Sequence, residues 1–339
     1  MDISKVQYRV FVLKKDGTKV YFDNLLQEGS HEEGEGELAA RLEVTLKNIK
    51  TQRGWIHPLV APGAYVFLQA TDGNGWKEVF RGRVYRWNTS PDNDHIVGFT
   101  AYDPLYPLQQ SKEHKYYKKG ETAVSCIKSL ASQWNIPLGK IDGPNTKLAK
   151  KLYRSTRIGE IIADRLEEAR KKGGGRYVVR STKDKLDVVA EGSNSTVYTL
   201  DQDFVETSTD ERNIESLITR VKIYGDEDDE GRAPVKAVKN GRTEFGVLQE
   251  IIYSSSYDSM TEANKAADEI LKEDGKPKVT RSISGPDIPW IRKGDKVKVA
   301  SGTIGKRGPD GKWEPEECIV TGVYRDLINL RMTLTLRGE

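Results

Sequence analysis

Short runs of alternating apolar and polar positions, separated by turn-forming residues, recur along most of this 339-residue chain. The densest stretch is 62–108. Tyr65 to Ala70, Val79 to Trp87 and Ile96 to Tyr102 read there as three strands. Asp72-Gly73-Asn74-Gly75 and Ser90-Pro91-Asp92-Asn93-Asp94 break them with residues that tolerate turn conformations, and a Tyr102-Asp103-Pro104-Leu105 corner ends the run. Upstream, Gln7 to Leu13 and Lys19 to Phe22 flank Lys15-Asp16-Gly17 as a hairpin. The Gly- and Glu-rich stretch Gln27 to Glu37 reads as a loop, and Leu38 to Leu46 as a further strand. Strands at this spacing predict a small barrel or sandwich.

The period then changes. Val124, Ile127, Ala131 and Trp134 recur at helical spacing behind Thr122, a suitable N-cap. Ile158, Ile161, Ile162, Leu166 and Ala169 form one stripe, which Gly173-Gly174-Gly175 ends. Tyr177 to Arg180 and Leu186 to Ala190 then predict a hairpin around Lys183-Asp184. Strands return at Leu217 to Tyr224 and Leu248 to Tyr253. A helix follows over Met260 to Leu271, with Ser259 and Glu262 as a capping box, placed to lie over an open barrel end.

The C-terminal end echoes 62–108. Lys293-Gly294-Asp295 leads into Lys296 to Ala300 as Pro62-Gly63 leads into Tyr65 to Ala70. Trp313 stands in a turn-rich loop as Trp76 does, and Gly322-Val323-Tyr324-Arg325 falls beside Gly82-Arg83-Val84-Tyr85-Arg86. Leu330 to Leu336 alternates strictly. A duplicated barrel accounts for the echo; chance likeness between two antiparallel meanders is the competing explanation. The fold class expected is α+β, mainly β, with two related small antiparallel β-barrels and an inserted α+β domain. The boundaries are 1–111 for the first barrel, 112–205 for the insert, and 206–339 for the second barrel with a crossing helix at 260–273.

Charge narrows the functions. Lys+Arg 54 against Asp+Glu 51 leaves a net charge of +3, too balanced for binding nucleic acid or anionic membrane through bulk charge. Cys126 and Cys318 stand far apart, which favours reduced thiols over a disulfide scaffold. The N-terminus has no apolar signal core, and no run approaches the ~20 apolar residues of a membrane span. Synthesis and folding in the cytoplasm are the expectation.

Candidate chemistry is sparse. His31, His57, His95 and His114 lack metal-ligand spacing, no Gly-x-Ser-x-Gly elbow occurs, and no carboxylate pair stands out. No catalytic residue, metal site or cofactor is therefore assigned. Gly302 to Arg307 lacks phosphate-loop spacing and reads as a hairpin loop, and the acidic run at Asp226 as a solvated loop. Lys112 to Lys119 interleaves bases with Tyr116 and Tyr117; a charged linker is favoured over a nucleic-acid contact. Lys119-Gly120-Glu121-Thr122, followed by Ile127, Leu130-Ala131 and Asn135 to Ile141, looks like the opening half of a LysM module. Glu121 replaces that family's Asp, and the rest does not follow at LysM spacing, so an ordinary helix start is the favoured reading.

Phe80-x-Gly82-x-Val84 with Phe99-Thr100-Ala101-Tyr102-Asp103-Pro104-Leu105 resembles the first barrel of baseplate hub proteins from contractile phage tails. The nearest likeness is to hubs of PBSX-like defective prophages and R-type bacteriocin particles. Gly294 to Val297, Ile319 to Tyr324 and Met332 to Leu336 are similar to the end of the same proteins. Arg325 and Ile328-Asn329-Leu330 stand where those have a His and an Asn-Gly turn. The resemblance implies a homotrimer whose six barrels adapt a six-fold tail tube to a three-fold spike. Its partners would be tube, spike, tape-measure and other baseplate proteins, with DNA only as cargo. Its location would be the bacterial host cytoplasm during assembly and then the baseplate of the particle. Trp76, Tyr85, Trp87, Trp313 and Tyr324 are the candidate interface residues, with a core or strand-face role as the alternative for each. The competing functions are a peptidoglycan-binding or cell-wall-degrading tail protein and a nucleic-acid module built on small barrels.

Overall fold

The computed structural model describes residues 2–51, 54–90, 93–301, 304–308 and 313–338. The N-terminal strands are β1 (Gln7–Leu13), β2 (Lys19–Tyr21), β3 (Leu26–Glu33) and β4 (Arg41–Lys47). Two short pieces, β5 (Lys50–Thr51) and β6 (Gly54–Trp55), precede the meander β7 (Tyr65–Thr71), β8 (Lys77–Ser90) and β9 (Asn93–Tyr102). Then come α1 (Tyr106–Gln110), β10 (Lys112–Tyr117), α2 (Ala123–Gln133), β11 (Leu138–Ile141) and β12 (Lys151–Arg157). Helix α3 (Ile158–Lys171) and the hairpin β13 (Tyr177–Thr182) and β14 (Lys185–Ala190) complete this middle part. The chain continues through β15 (Tyr198–Leu200), β16 (Thr207–Asn213), β17 (Arg220–Tyr224), β18 (Val235–Asn240), β19 (Gln249–Tyr253), α4 (Met260–Glu273) and β20 (Lys278–Pro286). It ends with β21 (Lys296–Val299), β22 (Lys306–Arg307), β23 (Trp313–Glu314), β24 (Glu316–Asp326) and β25 (Arg331–Gly338).

The helix ends follow from local chemistry. Thr122 Oγ1 accepts the Ser125 amide at 3.1 Å while Ser125 Oγ accepts the Thr122 amide at 3.0 Å, a reciprocal cap on α2. Ser259 caps α4 through the Glu262 amide. Beyond α3, Gly173 takes the left-handed conformation and the Gly174 amide returns to the Ala169 carbonyl.

The fold is α+β and mainly β, yet no sheet closes on itself among the described residues. One large open sheet instead runs β16-β20-β25-β24-β3-β4-β9-β8-β7-β1-β2, with β21 paired to β24 and β15 to β21. Strand β3, which would have to return toward β2 to close a first barrel, pairs antiparallel with β24. Each half curves over its own core. Val10, Leu42, Leu68 and Phe99 are buried in the first, and Ile283, Val297, Val320 and Leu334 in the second.

Three further expectations change. Residues 27–33 of the expected loop lie in β3. The Lys112 to Lys119 stretch is largely strand β10, paired with β12, and its Tyr117 is buried while Tyr116 is exposed. Helix α4 packs on the small sheet β18-β17-β19, burying Ala263, Ala267 and Ile270 against Val221 and Ile223, and does not cross a barrel end. Between α2 and β12 the chain forms β11, which pairs with β14, and no second helix. Lys306-Arg307 pairs with Trp313-Glu314 as a hairpin, while Gly302 and Thr303 lie outside the described residues, as do Pro91 and Asp92 of the expected turn.

Candidate assembly surface and the junction of the two halves

The two halves share one strand order. In the first, the sheet reads β7-β8-β9-β4-β3; in the second, β21-β24-β25-β20-β16, with every pairing antiparallel. Taken in chain order, the matched strands are β3 with β16, β4 with β20, β7 with β21, β8 with β24 and β9 with β25. The match extends to single residues. Gly63 and Gly294 both have left-handed φ, +88° and +89°, and donate to the carbonyls of Val84 and Val320, each at 2.8 Å. Directly after these valines both strands carry a register shift, between Val84 and Arg86 in β8 and between Val320 and Gly322 in β24. Val320 is therefore the counterpart of Val84, which moves the sequence echo by a few residues: Tyr324 matches Asn88, not Tyr85.

Where the halves meet, β24 residues Val323 to Asp326 pair with Glu33 to Ser30 of β3. The seam is polar and buried. Arg325, fully buried, reaches His31 Nδ1 at 3.2 Å, Asp287 Oδ1 at 3.3 Å and the carbonyl of Ile291. The Tyr8 hydroxyl closes on the other oxygen of Asp287. Arg292 Nε meets Glu33 Oε1 at 2.9 Å, and its other nitrogens hold Thr182 Oγ1 at 3.0 Å and the Ser181 carbonyl at 2.9 Å on the middle hairpin. Lys293 Nζ reaches the Gly34 and Glu37 carbonyls, and Arg180 bonds Asp295 Oδ1 at 2.9 Å. A small set of polar and charged groups thus ties both halves and the middle hairpin together, and His31, Glu33, Thr182 and Arg292 among them line a cleft of about 180 Å³.

Burial sets the ionisation of these groups. His31 is pushed down to about 3 by desolvation, with the Arg325 charge adding to it. Burial works against ionised Glu33, yet the charge and hydrogen bond of Arg292 outweigh it and hold the carboxyl well below its usual range. Asp103, accepting the Ala40 and Leu105 amides at 3.0 and 2.9 Å, is nevertheless raised to about 7 by burial. The arrangement sets charge against charge and carbonyl; what it does chemically is hold strands in register. Among the described residues no group of three or more His, Cys, Asp or Glu could hold a metal ion. No helix of the described chain is long and apolar enough to cross a membrane.

The five aromatic candidates fall on separate elements. Trp76 lies before β8 with the Arg9 guanidinium 4.2 Å over its ring. Tyr85 is exposed beside Tyr106, whose ring stacks on Tyr102. Trp87 is half-buried on the first core, its Nε1 donating to the His57 carbonyl at 3.2 Å. Trp313 is half-buried in the β22–β23 hairpin, and exposed Tyr324 stands on β24 opposite Glu32 at the seam. Only Tyr324 belongs to the junction. The polar residues that build it, His31, Glu33, Asp287, Arg292 and Arg325, are not among the site residues the sequence pattern picks out. One signal was available: Pro58-x-Val60-x-x-Gly63 is repeated as Pro289-x-Ile291-x-x-Gly294.

This fold is that of phage tail proteins. The 43 kDa tail protein of prophage MuSo2 from Shewanella oneidensis is 11% identical, with a TM-score of 0.64 over 98% of both chains. The tail protein from Neisseria meningitidis MC58 is 15% identical, with a TM-score of 0.68 over 98% of this chain and 97% of that one. Prophage tail protein gp18 from Listeria monocytogenes EGD-e is 13% identical, with a TM-score of 0.60 over 98% and 94%. The chain belongs to the YQBQ-like family, whose model matches residues 33–313. No curated protein sequence matches it.

Proposed function

We propose that the protein is a structural baseplate hub of a contractile phage-like tail, a homotrimer that joins a six-fold tail tube to a three-fold spike. The observation that carries this reading is the repeated strand order of the two halves. A three-fold assembly presents six quasi-equivalent surfaces only if each subunit supplies two, and a duplicated half supplies them. The tail-protein fold and the family membership support the same reading. The task asks for rigidity and interfaces, and the buried charges at the seam serve to fix one half against the other. On this reading the protein is not an enzyme; its neighbours are the tube, the spike and other baseplate proteins, and its place is the tail particle. Trp76, Tyr85, Trp87, Trp313 and Tyr324 are proposed to face partners where they are exposed.

Sedimentation of the purified chain together with its tube and spike partners, at concentrations well above micromolar, tests the reading. Three copies per complex are expected. A single copy per complex contradicts it.

A further inference from the structure

The seam inside the chain has a missing twin. The C-terminal part of β24 pairs on one side with β25 and on the other with β3. Its counterpart, the C-terminal part of β8, pairs with β9 on one side, and β7 ends against it at Arg83. The counterpart of β3 is β16, the terminal strand of the large sheet, which among the described residues pairs with β20 alone. Each half therefore uses one strand edge at the seam inside the chain and leaves the other open: β3 and β24 are joined, and β8 and β16 are not. Such edges are templates for pairing with another chain.

We propose that β8 of one copy pairs antiparallel with β16 of a second copy of this chain, as β24 pairs with β3 within it. The proposal rests on the ring of three copies proposed above and adds which edges meet and in what register. The register follows from the matched ladders. His31 on β3 faces Leu42 on β4, which faces Ala101 on β9; Asp210 on β16 faces Arg281 on β20, which faces Leu336 on β25. Ala101 and Leu336 are themselves counterparts, facing Val84 and Val320. Asp210 is thus the counterpart of His31, and Thr89 that of Arg325. Trp87 is placed opposite Arg212, Asn88 opposite Glu211, and Thr89 opposite Asp210.

The side chains suit this placement. Arg212 is 73% exposed and would lie against the Trp87 ring, a favourable cation–aromatic pairing. Asp210 Oδ1 is buried and makes no hydrogen bond, with Arg212 Nε 3.6 Å away, and it can accept from the Thr89 hydroxyl. Asn88 and Glu211 are both exposed, as a pair on the outer face should be. The segment beside β8 does not block the edge, because its counterpart Asp287 to Arg292 stands beside β24 while β3 still pairs there. The contact is heterologous, using different edges of the two copies, so repeating it builds a closed ring under the three-fold symmetry proposed above.

Disulfide trapping between two single-cysteine variants tests the proposal. Protein carrying Asn88→Cys is mixed with protein carrying Glu211→Cys and oxidised with diamide; the native thiols of Cys126 and Cys318 are buried. A third variant, Thr207→Cys, places the thiol on the same strand but out of register. Sedimentation of the unoxidised mixture reads the copy number separately, and circular dichroism confirms that each variant folds. The proposal expects a covalent dimer from the Asn88→Cys and Glu211→Cys mixture, at least tenfold more than with Thr207→Cys, and none from a single variant alone. Three copies without the in-register link, or equal linking at Thr207→Cys, overturns the seam and leaves the trimer standing. A monomer at concentrations well above micromolar with no link overturns both.

Discussion

Gly63 and Gly294 hold the same place in two copies of one structural unit: each has φ near +90° and donates to the valine carbonyl that precedes a bulge. Their surroundings differ. A Cβ on Gly63 would meet nothing within 4 Å, whereas one on Gly294 would come within 2.2 Å of Val178 Cγ1 on the middle hairpin. Gly63→Ala is expected to cost about 1–2 kcal/mol from backbone strain alone. Gly294→Ala should cost more, because β13 must also move. Urea unfolding of both variants checks the ranking; equal costs would contradict it.

Arg325 is the charge most enclosed at the seam. Arg325→Leu leaves Asp287 and His31 without their partner, and breaking a buried pair from one side costs about 3–5 kcal/mol. The expected outcome in denaturant unfolding is a loss of that size. Glu211→Gln, at an exposed position on β16, should change the stability of the isolated chain by less than about 0.5 kcal/mol.

Acid weakens the seam through His31. Its folded value lies below its unfolded one, so the folded state binds fewer protons there. The stability this contributes is present above about 6.5 and is lost as pH falls toward 3. Glu33, also depressed, loses its contribution as pH falls below its ordinary 4.5. Asp103 acts in the opposite sense: raised to about 7, it favours the fold below its ordinary 3.8 and loses that contribution as pH rises to 7. His31→Gln should therefore flatten the stability profile between pH 6.5 and 4.5 relative to the natural protein. An unchanged slope there would contradict the account.

Cys126 and Cys318 are buried. Neither should react with a thiol reagent within minutes in the native state, and both should react in denaturant, as counted by mass. Rapid native labelling of either would place it at the surface.

The strands legible in the sequence are those whose buried positions are apolar. The run from Gln7 to Leu13 coincides with β1, and β25 shows Met332, Leu334 and Leu336 buried in strict alternation. Helices α2, α3 and α4 announced themselves by period and caps. What stayed hidden was polar. β3 buries His31 and Glu33, so its inward face is made of polar groups matched by Arg325 and Arg292, residues 294 and 259 positions away. β10 and β16 are charged edge strands, whose alternation carries few apolar residues to reveal it. The expected barrels failed to close for the same reason: the strand joining the two halves looked like a loop. The repeat shows in the sequence through Gly63 and Gly294 and the apolar strands that follow them. Its register needed the bulges, which leave no mark in composition.

Imaging of the assembled hub along its axis tests the central claim most directly. The account predicts three copies around a channel, with six similar densities alternating between the first and second half of each subunit. A two-fold dimer, or three copies whose halves do not lie at equivalent radii, would contradict it.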